Sequence, residues 1–220
     1  MKKTLLKIVT GGLVAFAFNA AHAELFVNPV TKNKTGAGEI SAHFGTSSVD
    51  YEFSGGGTAE IDRTFIGATY AHGLNSSMDV YGTFSLTLTS EFEGAPSDGD
   101  GFILGAGVRA AIPNNMGVSL HGYGQLLMID EDYGSGVDGE EMSIMLGVAA
   151  AKAIDTNIKL YGGLELNLFS DLDVEGFSAD RDDLFGIRVG GNFNLGEYLM
   201  NVNLSLMHES GIFISGSKGF

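Results

Sequence analysis

From about residue 38 to the C-terminus, apolar and polar residues alternate with period two. In 158–169, "IKLYGGLELNLF", Ile158, Leu160, Leu164, Leu166 and Leu168 share one parity and Lys159, Tyr161, Glu165 and Asn167 the other. Successive side chains of a strand point to opposite faces, so this alternation predicts a strand with one apolar and one polar face. Stretches around 80–88, 102–112, 118–128, 142–148, 185–195 and 200–206 repeat it. In 38–45 the pattern is shorter, with Ile40, Ala42 and Phe44 against Ser41 and His43. In 63–72 apolar residues fall on both parities and give no orientation, and 212–220 is short and glycine-rich. Ten strands are predicted, with eight as the alternative count.

The connections alternate too. Residues 73–78, 113–116, 155–157 and 196–198 are tight turns rich in Gly, Asn and Asp. Residues 46–60, 90–100, 130–140 and 170–183 read as long acidic loops. Only the last connection, near His208-Glu209-Ser210, breaks the rhythm by being short. A closed up-and-down antiparallel barrel crossing a bilayer explains it, with short turns on the periplasmic side and longer loops outside. The leucine face would then meet lipid and the polar face a narrow lumen. Closure follows because hydrocarbon cannot satisfy a sheet's free edges. A soluble lipocalin-like barrel would reverse the two faces and leave the alternation of loop lengths unexplained.

Export is written at the N-terminus. Basic Lys2, Lys3 and Lys7, an apolar run to Phe18 and Ala21-His22-Ala23 form a signal peptide over 1–23. Residues 24–37 are then expected as a periplasmic N-terminal segment and 38–220 as the barrel. Removing the three leader lysines takes the formal charge from −15 to −18. Nucleic acid is excluded as a partner, since phosphate binding needs clustered Lys and Arg. With no cysteine, the exported chain is held by its sheet and packing alone.

These features resemble the small Gram-negative outer-membrane β-barrels: opacity-type proteins, the transmembrane domain of OmpA-like proteins and other short porin-like barrels without a periplasmic domain. The resemblance implies an outer-membrane location, contact with outer-membrane lipid and lipopolysaccharide, and handling by the barrel-assembly machinery. In that family a terminal aromatic marks the strand the machinery recognises, the place Phe220 holds here. Lys218 stands where that signal is usually hydrophobic, and the chain lacks Trp, leaving interfacial girdles to Phe and Tyr.

Some such barrels are enzymes. A lipid hydrolase needs Ser and His within reach plus an orienting carboxylate. The nearest candidate, His208-Glu209-Ser210, reads as a solvated turn. An omptin-type protease would need Asp-His pairs at the rim, and no His lies in the long loops. His43 and His121 are expected as lumen hydrogen-bond fillers. Residues 130–141 place Asp130, Asp132 and Glu141 on a calcium-loop template. Ser135 stands where that template requires glycine, and Gly134 supplies no side-chain ligand. No catalytic residue, metal site or cofactor is assigned; loosely held divalent cations at the acidic loops are the expected ionic partners. The lumen is expected to carry a charge network of Glu165, Arg188, Arg109 and Lys159. Glu165 should pair with Arg188 across a hairpin in which Leu168 faces Phe185. The expected function is a non-enzymatic barrel presenting acidic loops for surface interaction or envelope integrity, with a narrow passive channel as the alternative.

Overall fold

The computed structural model describes residues 27–31, 33–92, 95, 97–181, 184–207 and 210–220. The expected signal peptide, His208 and Glu209 lie outside the described residues. The strands are β1 (Gly38–Phe53), β2 (Thr58–Gly73), β3 (Met78–Phe92), β4 (Gly99–Ile112), β5 (Ser119–Asp132), β6 (Asp138–Ala153), β7 (Ile158–Val174), β8 (Phe177–Arg181), β9 (Phe185–Leu195), β10 (Tyr198–Met207) and β11 (Ser210–Gly219). Each neighbour pair is antiparallel, and β11 returns to β1 over ten residue pairs, from Glu39↔Gly219 to Ser48↔Ser210. The wall is a closed ten-strand barrel. Short β8 is an eleventh piece: it bridges β7 and β1 at the end opposite the short turns, beyond the reach of the shorter β9, β10 and β11.

Alternation predicts orientation along the whole wall. Val108, Leu146, Leu164 and Ile187 point outward, while Tyr81, Tyr123, Asn167 and Asn192 are buried inside. The ambiguous stretch 63–72 lies in β2 with its odd residues inward; Phe65 is wholly buried and Ile66 exposed. Its ambiguity came from apolar residues placed in the lumen. A bulge in β7 lets Leu168 and Phe169 both face outward, after which Ser170, Leu172 and Val174 turn inward.

The long loops of the sequence reading need correcting. Most of 46–60, 130–140 and 170–183 is wall: the chain reverses only at 54–57, 133–137 and 175–176. In β1, residues continue alternating past the lipid band, with Asp50 and Glu52 outward and Val49 and Tyr51 inward. Acids on every second position read as loop in the sequence, yet a strand standing in water accepts them on its wet face. The hairpin register also differs by two residues: Leu166, not Leu168, faces Phe185.

Candidate functional site: the filled lumen

A closed barrel acts through its lumen or its rims, and here the inward side chains meet one another. All four arginines of the chain, Arg63, Arg109, Arg181 and Arg188, are inward and buried. A buried guanidinium must be paired, because stripping it of water is costly. Arg188 meets Glu165 through two hydrogen bonds, Nε to Oε1 at 2.6 Å and Nη2 to Oε2 at 3.0 Å. The two-residue register difference makes this contact diagonal: Glu165 stands opposite Gly186, and Arg188 opposite Gly163. Glycine beside each long side chain leaves room for the reach. Tyr123 donates to Glu165 at 2.8 Å, and Arg188 donates to Asn203 at 2.6 Å.

Arg109 does not join that pair directly. It lies at the short-turn end, with Asp79 at 2.9 Å and Glu39 at 3.3 Å. Lys159, half-buried at the same end, lines a cavity of about 200 Å³ with Thr31, Asp155 and Asn192. Of the four expected network residues, the structure brings together Glu165 and Arg188 and sets the other two apart.

A second charged cluster, absent from the sequence reading, fills the part away from the short turns. Arg63 Nε donates to both oxygens of Glu131 at 3.0 Å, and Arg181 Nη2 lies 2.7 Å from Glu141 Oε1. Tyr51 donates to Glu141 at 2.6 Å and Tyr133 to Glu131 at 2.9 Å. Burial, reinforced by the Glu131 carboxylate, pushes the Tyr133 hydroxyl's pKa well above its ordinary value, so it stays a donor. Arg63 and Arg181 stand on the inward parity, alone among acids; that is the signal that could have revealed the cluster. Between the charged layers sit Phe65, Ile103, Leu127, Ile129 and Phe213. Beyond them, Val49, Ile61, Leu172, Val174 and Ala179 form an apolar core.

The candidate chemistry is taken apart by the same geometry. Asp130 and Asp132 face outward while Glu141 faces inward onto arginines, so the calcium template is not assembled. No group of three or more His, Cys, Asp or Glu fit to hold a metal occurs among the described residues. His43 shares a 2.8 Å hydrogen bond with Ser85, within 5.3 Å of the Phe213 ring. Deep burial in a packed lumen makes this a structural contact. Ser210 begins β11 opposite Ser48.

Phe220 stands at the closing seam. Its N–H donates to Gly38 O at 2.9 Å, Gly38 N–H donates back to its carbonyl at 3.0 Å, and its ring stacks 6.4 Å from Tyr70. A side chain at Gly38 would strike that ring, which accounts for the glycine. Lys218 points outward to Glu197 at 2.8 Å and over the Tyr198 ring. It is thus satisfied at the rim, although it departs from the usual hydrophobic residue.

No family model and no curated protein sequence matches the chain. Solved structures do. An outer-membrane channel from Pseudomonas putida F1 superposes with a TM-score of 0.53 at 12% identity, covering 90% of this chain and 100% of that one. The outer membrane protein OprG from Pseudomonas aeruginosa (0.45, 10%, 86% and 98%) and the outer membrane protease OmpT from Escherichia coli (0.45, 10%, 87% and 99%) are more distant. At such identities the likeness shows the fold alone. A closed barrel with an apolar outer band suits a lipid surround, and its fold is that of the small outer-membrane β-barrels.

Proposed function

We propose that this barrel is a non-enzymatic, closed anchor that carries an acidic extension beyond the membrane for surface interaction or envelope integrity. The observation that carries the reading is the filled lumen. Arg63, Phe65, Ile103, Arg188 and Phe213, all inward from different strands of the wall or successive positions on one, each have 1% exposure or less. A ten-strand barrel is narrow enough for side chains to close it. Along the outer strands the outward positions are instead acidic, so the wet surface presented above the lipid is strongly negative. That surface faces lipopolysaccharide and the cations that accompany it. Phe220, placed at the seam, supplies the assembly signal.

Planar-bilayer recording tests the lumen. The purified barrel should insert and give no unitary conductance; regular, reproducible conductance steps would replace the anchor with the passive channel. Sidedness has its own test. A tag at Gly134 should be labelled on intact cells and one at Asn114 should not; the reverse pattern would place the acidic extension in the periplasm.

A further inference from the structure

The segment before β1 was expected simply to lie in the periplasm, and the structure gives it a place. Residues 27–31 and 33–37 pass across the short-turn mouth of the barrel. At one end the Asn33 N–H donates to Asp79 on β3 at 2.9 Å; at the other Asn28 Nδ2 donates to Asn192 Oδ1 on β9 at 2.7 Å. In the ring of ten strands β3 and β9 are five places apart, so the segment spans the full diameter. Val27 and Val30, 2% and 0% exposed, push inward against Tyr81, Tyr123 and Tyr161. Arg109 Nη1 holds the middle through Asn28 O at 2.9 Å and Thr31 Oγ1 at 2.6 Å.

We propose that this segment is a detachable strap: a seal docked from the periplasmic side onto a wall complete without it. Residues 27–31 and 33–35 belong to no strand and make no ladder pair, while Gly36 N–H donates to Gly73 O at 2.8 Å and Gly73 N–H to Ala37 O at 3.0 Å, so the strap hinges at 36–37 on the end of β2. The groups they cover keep partners when they leave. Arg109 retains Asp79 and Glu39, and Asn192 still accepts from Asn201 at 2.7 Å. Undocking therefore strands no buried charge, the condition that would otherwise forbid it. The glutamate–arginine layer has no such freedom, because both partners are strand residues. On the short-turn side of that layer the strap covers the mouth, and its release uncovers a tyrosine-lined vestibule rather than a pore. The inference uses the closed-barrel reading only to this extent: conductance tests that reading, and accessibility tests the strap.

The chain has no cysteine, so Val30→Cys gives a single reporter. In refolded barrels a maleimide should react with it slowly, limited by strap opening. Adding Asn28→Ala, which alters no wall residue and removes the side-chain contact to Asn192, should speed labelling by up to about tenfold, one net hydrogen bond's worth. Adding Asn192→Leu should do the same from the wall side. The SDS mobility of the unboiled barrel should stay as in the parent. Immediate labelling of Val30→Cys alone would show that the strap is not docked. Labelling that appears only as the folded band disappears would make the segment an integral part of the fold. Either result overturns the proposal.

Discussion

The lipid-facing band and the acidic extension share one backbone and one period. In β6 the even residues face outward throughout. Through the band they are Met142, Ile144, Leu146 and Val148; above it they are Asp138 and Glu140. The inward chemistry shifts in the other direction along β1, from Ser41 and His43 to Val49 and Tyr51. The band is apolar outside over a lumen that mixes charged, polar and apolar side chains, whereas the extension carries acids on its wet face over an apolar core and the buried Arg63–Glu131 and Arg181–Glu141 pairs. Geometry therefore does not decide which residues a wall position takes; the solvent outside does. The same logic sorts the cations: arginines pair inside, while Lys34, Lys152, Lys159 and Lys218 gather at the short-turn end.

The largest expected effect lies in the core of the band. Removing one partner of a buried pair leaves a stranded charge, at a cost of about 3–5 kcal/mol. Arg188→Gln should therefore lower barrel stability by that order in a urea titration in vesicles, while Glu165→Gln with Arg188→Gln should recover part of the loss. Strictly additive losses in the cycle would mean that the two groups are hydrated separately, as in an open channel.

The next effect contrasts the two regions on one strand. Leu146→Lys, at the middle of the lipid band, should cost about 2–4 kcal/mol. Asp138→Lys, eight residues away on the same face, should cost nothing measurable, because its side chain stands in water beside Asp132. Similar losses at both sites would dissolve the boundary drawn here.

Much of this was legible along the chain. Leu164 and Tyr161 declared their faces by parity, and the Gly- and Asn-rich turns marked one end. The extension was not, because alternating acids such as Asp130 and Asp132 carry both a turn-like composition and a strand-like spacing. The glutamate–arginine contact was anticipated through a register two residues off: the bulge at Leu168 and the inserted β8 displace the hairpin, and neither has a mark in the sequence. The strap left only a faint one, two valines among polar residues at 27–33. Arg63 and Arg181 were visible as lone cations among acids, but their partners depended on knowing that those stretches were wall.

The smallest expected effect tests the surface of the extension. Across neighbouring strands Asp130 faces Glu140, Glu140 faces Asp173, and Asp132 faces both Asp100 and Asp138. Like charges directly opposite on one face are destabilising, by about 0.2–1 kcal/mol for each pair. The extension tolerates them because the apolar core beneath and the buried arginine–glutamate cluster hold its strands together. Screening should then stabilise the barrel: raising sodium chloride from ~0.01 to ~0.15 M shortens the reach of exposed charges from about 30 to 8 Å. Magnesium at matched ionic strength should act only slightly more strongly, since the acids lie spread along strands rather than converging on one point. Asp130→Asn should reduce the response to either salt by a similar fraction. A magnesium response that saturates at low concentration, survives high sodium chloride and vanishes with Asp130→Asn would mean that the rows gather into a true cation site. In that case the extension's charges would be ligands rather than a diffuse negative surface.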